Sequence, residues 1–365
     1  MKIAKIETFP CIMPKEDPKW AFALGANPLS ESWIVAITGD DGTVGYGVAS
    51  STQHMGASMA SLEGVLKDLM PLIKGKDPFD IEVIGREMNR NLTRNNQAKA
   101  GIDCALHDLM AKSLGLPIHK LIGGKCRDKI PVLRIVAIKA PKEMAANSQK
   151  LVDKGYRYLK IKVHGDVEED VARIKAIRKQ VGPDVHLTID ANQSYLAKDA
   201  IRAINKMADY DIDLAEQPVN IDDMEGLKLV TNAVPITVEA DESAGSLDEI
   251  AYLVKHRIVD AVSLKLPKLG GIRNAIAAAR LCEANQIQYR LGAHVGSRLM
   301  AAHAMQVAAA LPGITYACEL GEFDRLLDDP FEGIEIENGI IRVPSRPGVG
   351  VSLKKAAAGK KKRAA

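Results

Sequence analysis

Tyr158-Leu159-Lys160-Ile161-Lys162-Val163, then His186-Leu187-Thr188-Ile189-Asp190, then Asp213-Leu214-Ala215-Glu216: three short β-branched or apolar runs, each closing on charged residues. Amphipathic helical patterns separate them, and the spacing of roughly 25 residues is that of one β/α repeat. The same rhythm extends outward on both sides. Pro131–Ile138 precedes these runs; Ile236–Asp241, Ala261–Lys265, Ile287–Gly292 and Thr315–Glu319 follow them. Eight strands with seven helices between them is the count for a (β/α)8-type barrel, a modified TIM barrel. A doubly wound sheet has fewer strands and a glycine-rich first turn, which this chain lacks.

The repeat occupies only part of the 365 residues. At the N-terminus Ile3 to Phe9 alternates as a strand, and Trp33 to Ile37 runs through Gly39-Asp40-Asp41-Gly42 into Val44 to Val48, a hairpin signal. Pro14 to Ser30 and Ser51 to Gly56 have no periodicity. From about 58 to 122 apolar residues fall at helical spacing until Gly115 and Pro117 stop them. After Phe323 comes a second hairpin around Asn338-Gly339. A hairpin cannot extend a closed barrel, so it is expected to pack back on the N-terminal region and leave the two irregular stretches as a lid over the barrel mouth. The expected organisation is an α+β capping domain with lid loops at 1–125, the barrel with its metal and lysine site at 126–322, a C-terminal segment returning to the cap at 323–353, and a basic disordered tail at 354–365.

Composition narrows the function classes. The formal charge is +3, and Lys360, Lys361, Lys362 and Arg363 account for it, so neither nucleic acid nor membrane lipid is expected as a partner. Five scattered cysteines without CxxC spacing exclude a disulfide framework or a thiolate zinc site and suit a reducing cytoplasm. No apolar run is long enough to suggest export or a membrane span.

Alternate residues of a barrel strand point inward, and the C-terminal strand ends form the active-site face. Three successive ends offer a carboxylate: Asp190, Glu216 and Asp241. Converging carboxylates repel unless a cation lies among them, and an all-oxygen set favours Mg²⁺, with Mn²⁺ as the alternative. The second and sixth strands stand opposite each other in the ring, so Lys162 and Lys265 should face across the pocket, one taking a proton from a carbon and the other returning one to the opposite face. Proton loss next to a carboxylate creates an enediolate, whose two negative oxygens need such counter-charge. Lys160, two residues from Lys162, should lower that lysine's pKa. A lone Lys-x-Lys is ordinarily a solvated edge, and a lone strand-end acid a helix cap or ion-pair partner. Five such residues on five consecutive strand ends, all with the right parity, have no ready structural explanation.

These residues resemble the enolase superfamily, in particular its muconate lactonizing enzyme subgroup (mandelate racemase/muconate lactonizing enzyme-like). Ala105-Leu106-His107-Asp108-Leu109 through Leu121-Ile122-Gly123-Gly124 is similar to the segment joining cap to barrel. Lys160-Ile161-Lys162 matches a Lys-x-Lys motif whose second lysine is the acid/base, and this superfamily's pairing of a Lys or His base with Mg²⁺ is a known pattern. Asp190-Ala191-Asn192, Glu216-Gln217-Pro218 and Ala240-Asp241-Glu242-Ser243 match the metal motifs, which implies Asp190, Glu216 and Asp241 as Mg²⁺ ligands. Asp260 to Lys265, with Lys268 and Gly270-Gly271, is similar to the motif of the opposite lysine. Lys160, Asn192, Glu242 and Lys268 are expected to support metal and lysines.

The departures bear on substrate. Ser297 of Gly296-Ser297-Arg298 stands where many subgroup members have a glutamate. Cys318-Glu319-Leu320 resembles the Thr-Glu-Leu of cycloisomerases, and the Asp-x-Asp of dipeptide epimerases is missing. Trp20, His294, Ser297, Arg298 and Glu319 are the candidate substrate contacts: Arg298 for a second carboxylate, His294 as pocket lining, Trp20 as a lid residue. The expected activity is racemisation or epimerisation of an amino-acid derivative, with muconate-type cycloisomerisation or dehydration as alternatives on the same site. A non-catalytic barrel would require a broken lysine or carboxylate set, and none is broken. A small carboxylate substrate is the expected partner, and the resemblance implies a homo-oligomer.

Overall fold

The computed structural model describes residues 1–355, so the tail expected at 354–365 lies, beyond its first two residues, outside the described residues. The chain opens with a three-stranded antiparallel sheet in which β1 (Ile3–Pro14) pairs with β4 (Leu29–Gly39), and β4 with β5 (Val44–Ser50). Within the stretch read as irregular, a small hairpin forms from β2 (Ala21–Phe22) and β3 (Gly25–Ala26). Two-residue strands leave too short an alternation to detect in sequence.

Three helices cover this sheet: α1 (Met59–Ile73), α2 (Ile81–Asn91) and α3 (Asn96–Ser113). Helix α1 starts at Ser58, whose side chain and that of Ser61 form a reciprocal capping box, and it buries the stripe Leu62, Leu66, Leu69 and Ile73. Helix α3 is buried without a break from Gln97 to Ala111, because the sheet covers one side and the barrel the other. Close approach to β5 requires Gly47, where a methyl group would collide with the Gly101 carbonyl. Toward the barrel, Asp103 Oδ1 accepts from Ile272 N at 2.6 Å, and Asn96 Nδ2 donates to Lys268 O at 2.7 Å.

After β6 (Lys129–Pro131) come the seven consecutive parallel strands β7 (Leu133–Val136), β8 (Tyr158–Lys162), β9 (His186–Asp190), β10 (Ile212–Glu216), β11 (Thr237–Ala240), β12 (Ala261–Lys265) and β13 (Gln288–Gly292). The expected eighth strand, Thr315–Glu319, is present only as isolated parallel bridges, Val132 to Cys318 and Gly292 to Glu319. Its first residues turn to the barrel floor, where the Tyr316 hydroxyl donates to Thr237 Oγ1 at 3.0 Å. The ring still meets there: Leu133 N donates to Cys318 O at 2.9 Å and Ala293 N to Glu319 O at 2.8 Å.

The hairpin around Asn338-Gly339 forms, with both residues at positive φ. The segment that carries it returns to the N-terminal region, but the hairpin's own ladder is elsewhere. Ile340–Arg342 pairs with β6, and the turn abuts Gly155, where a side chain would stand 2.6 Å from the Asn338 Cα. Contacts to the cap come from residues on either side: Phe331 packs edge-on to Tyr46 at 5.9 Å, and Val349 N donates to Asp108 Oδ1 at 2.8 Å. The N-terminal loops reach the barrel mouth. Lys15 bridges to Leu326, Glu16 N donates to Arg325 O at 2.9 Å, and Ile138 N to Ala21 O at 3.2 Å. No described helix is long and apolar enough to cross a membrane.

Candidate active site

Parity sends Lys160 and Lys162 of β8 to the same side, and both are buried. The register sets Lys162 level with Asp190, and Asp190 level with Glu216. Lys162 Nζ lies 2.5 Å from Asp190 Oδ2 and donates to Asn192 Oδ1 at 2.7 Å. Asn192 itself donates through Nδ2 to Glu242 Oε1 at 3.1 Å. Lys160 Nζ is 2.7 Å from Glu216 Oε2 and 3.2 Å from Asp190 Oδ2, and it also pairs with Glu319. Across the ring, Lys265 Nζ is 2.7 Å from Asp241 Oδ2, with Glu216 Oε1 and Glu319 Oε1 each at 3.9 Å. Lys268 Nζ holds Asp241 Oδ1 at 2.5 Å and donates to Ser263 O at 2.9 Å.

Two residues of this network were not assigned from sequence. Arg290 on β13 reaches inward to Glu216 Oε2 and Glu239 Oε2, both at 2.5 Å. The signal was available, since Glu239 is two residues before Asp241 and Arg290 two before Gly292, the inward parity one layer down.

Burial opposes every charge in this cluster, and neighbours decide the outcome. Burial alone would raise Asp190, but Lys162 and Lys160 hold its carboxyl well below the usual range. Asp241 is likewise held down, against burial, by Lys265 and Lys268. For Glu216, burial and then the Asp190 charge prevail, pushing it up to about 8. Glu242 is raised by burial and by Asp241 and Asp190. Burial would lower Lys160 and Lys265, yet the surrounding carboxylates, led by Glu216 for the first and Asp241 for the second, raise both.

A divalent ion must fit these residues if the motif resemblance holds. As they stand, no three described His, Cys, Asp or Glu side chains are placed to share one ion. The lysines account for this, since Lys160 contacts both Asp190 and Glu216 while Lys265 lies between Asp241 and Glu216. The donor set is nonetheless suited to a hard cation. Among the described residues Asp190, Glu216, Glu239, Asp241, Glu242 and Glu319 are buried against only Lys160, Lys162, Lys265, Lys268 and Arg290, so acid outnumbers base. Glu242 Oε2 is buried with no hydrogen-bond partner. A cluster of carboxylate oxygens on three adjacent strand ends fits Mg²⁺.

A cavity of about 350 Å³ opens over the cluster, and Lys162, Lys265, Asn192, Asp241 and Glu319 form its floor. His294 lines it, kept neutral by burial and by Lys265. Trp20 lines it too, together with Phe22, whose ring lies 5.8 Å from Lys162 Nζ. Lys15 and His54, one from each of the two stretches without periodicity, also border the cavity. Two expected substrate contacts are corrected. Arg298 does not border the cavity; Asp329 holds it at 3.3 Å and it lies 4.9 Å over the Phe323 ring, because the helix it begins faces the C-terminal segment. Ser297 is buried at that helix start, also away from the cavity.

The same fold and domain order recur in known proteins. Residues 13–123 match the mandelate racemase / muconate lactonizing enzyme N-terminal domain, and residues 143–357 the enolase C-terminal domain-like family. The L-Ala-D/L-Glu epimerase of Bacillus subtilis is 37% identical over 96% of this chain and 97% of its own, and its substrate-liganded structure superposes with a TM-score of 0.93. A dipeptide epimerase from Enterococcus faecalis, solved with Mg and L-Leu-L-Tyr, is 34% identical over 96% of this chain and all of its own (100%), with a TM-score of 0.93. The N-succinyl Arg/Lys racemase of Bacillus cereus is 30% identical over 99% of this chain and 98% of its own, with a TM-score of 0.95. With both domain models matched in chain order, the protein belongs to the mandelate racemase and muconate lactonizing enzyme group of the enolase superfamily and is an isomerase of that superfamily.

Proposed function

We propose that this isomerase is a Mg²⁺-dependent epimerase or racemase that inverts the carbon next to the carboxylate of an amino-acid derivative, with Lys162 and Lys265 as its acid/base pair. One observation carries the reading: two buried lysines on strands four apart in the ring border one cavity from opposite sides of a carboxylate cluster.

Asp190, Glu216 and Asp241 would hold the ion, with Asn192 and Glu242 bracing them. When bound, Mg²⁺ supplies Lewis-acid stabilisation of negative charge on the substrate carboxylate oxygens. Lys162 Nζ removes the α-proton from one face, and Lys265 Nζ delivers a proton to the other; the opposite stereoisomer runs the pair in reverse. Lys160 and Lys268 position the acids, and Arg290 neutralises Glu216 and Glu239 from below. Trp20 and Phe22 shield the reacting carbon from water.

In the same reading Mn²⁺ can substitute for Mg²⁺, the only partner in the reaction is a small carboxylate, and the chain assembles with copies of itself in the cytoplasm. Cycloisomerisation or dehydration would use the same lysines, and the three epimerase and racemase relatives favour inversion. Incubation in heavy water with N-acyl amino acids, dipeptides, hydroxyprolines, betaines and muconates separates these. Deuterium entering the α-carbon from both stereoisomers, with interconversion, supports the reading. Ring closure or loss of water without inversion overturns it.

A further inference from the structure

Gln217 leaves β10 directly after Glu216 and is fully buried. Its backbone is left-handed, at φ 37°, which a residue with a side chain holds only where its surroundings enforce it. The amide shows what enforces it. Its Oε1 accepts from Asp241 N at 3.0 Å and from Ser243 N at 3.1 Å. Its Nε2 donates to Val219 O at 3.0 Å and to Ser243 Oγ at 2.7 Å. Both N–H groups and both lone pairs are used, and only this orientation works, since the flipped amide would set Nε2 against two N–H donors. The Gln217 main chain spans the same turns: its N donates to Glu239 O at 2.8 Å, and its carbonyl accepts from Gln193 N at 2.9 Å.

The bond to Asp241 is the consequential one. The ladder between β11 and β12 ends at Ala240 and Val262, so Asp241 stands one residue beyond it. Its backbone is held there by two side chains, Gln217 at the N–H and Lys268 at the carbonyl, the latter at 2.5 Å. An Asp side chain is short, so any shift of its backbone passes directly to its carboxylate. Because Gln217 is covalently next to Glu216, its amide ties the strand end of one proposed ion ligand to that of another.

We propose that Gln217 is a positioning residue of the ion site: it fixes the Asp241 backbone relative to Glu216 so that both carboxylates can serve one divalent cation, without itself touching the ion. This rests on the assignment of Asp190, Glu216 and Asp241 as ligands, and adds to it a residue that acts through the backbone.

Calorimetric Mg²⁺ titration of the full-length protein without substrate tests it, beside thermal melts of the metal-free variants to establish that each is folded. Gln217→Asn keeps an amide and tolerates left-handed backbone, but is one methylene too short to reach Asp241 N. Gln217→Met keeps the length and loses the amide, and serves if the first variant unfolds. Both are expected to weaken Mg²⁺ binding by about 10- to 100-fold, the usual effect of removing a group that orients a metal ligand. Gln193→Met is the control. Gln193 is also a left-handed glutamine beyond a strand end, but its Oε1 accepts from Ile221 N rather than from a ligand residue, so its loss should leave Mg²⁺ affinity unchanged. A purely structural Gln217 would lower the melting temperature and leave Mg²⁺ affinity alone. A folded Gln217 variant that binds Mg²⁺ as tightly as the unaltered protein overturns the proposal, as does an equal loss in Gln193→Met; either leaves the ligand assignment standing. An unaltered protein that binds no Mg²⁺ removes both.

Discussion

Lys162 and Lys265 each have a single ammonium to place, and their partners place it. Replacing either with Ala is expected to cut turnover by about 10²- to 10⁴-fold, what a general acid–base group is worth. Mg²⁺ binding should survive, because the carboxylates remain; a racemisation assay beside calorimetric Mg²⁺ titration reads both, and an active double variant would end the proposal. Lys15 makes a prediction of opposite sign. Its ordinary value of 10.5 falls to about 7 on folding, so the unfolded chain binds its proton more tightly. Its contribution to stability therefore rises with pH between those two values and is at its most unfavourable below the lower one. Lys15→Met should thus stabilise the protein at pH 6, by roughly 1–3 kcal/mol for a relieved buried charge, and by less at pH 10. Urea denaturation at the two pH values checks this, and a destabilised variant at pH 6 would contradict it. The residues legible from sequence were those at strand ends, where parity decides direction. Arg298 and Ser297 were misplaced because they begin a helix, where the direction of the side chain depends on what packs against that helix. Lys15 is legible only as part of the irregular stretch Lys15–Leu29 expected over the barrel mouth, because nothing in its local pattern tells a buried ammonium from a solvated one.

Among the elements, β13 contributes through what it lacks. Gly292 stands level with Lys265, and a Cβ there would lie 2.9 Å from the Lys265 Cε. That atom belongs to the flexible end of the side chain, so a methyl group would displace the ammonium rather than the backbone. Gly292→Ala is therefore expected to fold normally, with a melting temperature near wild type, and to lose about 10- to 100-fold in kcat because the acid/base group is misplaced. Retention of full kcat would show that Lys265 has another route to the substrate. By contrast Gly47→Ala forces backbone against backbone between β5 and α3, and should destabilise the protein by about 1–3 kcal/mol or more. The seven strands that form full ladders were all legible, because each repeats a buried run followed by a helix. The eighth segment was legible as a run, but its conversion to isolated bridges was not, since that depends on Tyr316 reaching Thr237 across the floor. The Asn338-Gly339 turn was legible for a local reason, its positive-φ residues, whereas its pairing with β6 joins residues far apart in the chain.

At the scale of the whole molecule the question is whether cap and barrel unfold together. Helix α3 belongs to the cap by sequence, yet its Asp103 and Asn96 bond to barrel residues 272 and 268, and Asp108 binds Val349 of the returning segment. Separating the two parts would break the bonds that Ile272 N and Val349 N give to these buried carboxylates, each a loss of roughly 1–3 kcal/mol. One cooperative thermal transition is therefore expected. Because Asn96 also holds the backbone of Lys268, which braces Asp241, occupation of the site is coupled to the packing of the cap. Mg²⁺ at 100 times its Kd should stabilise the folded chain by about 2.7 kcal/mol. For a protein of this size that raises the whole transition by several degrees, and a chelator should reverse it. Glu216→Gln removes one of the three carboxylates and should abolish most of the Mg²⁺-dependent shift. Differential scanning calorimetry with and without Mg²⁺ decides the matter: two separate transitions, with only the later one responding to the ion, would mean that the cap melts independently and that α3 does not tie it to the site.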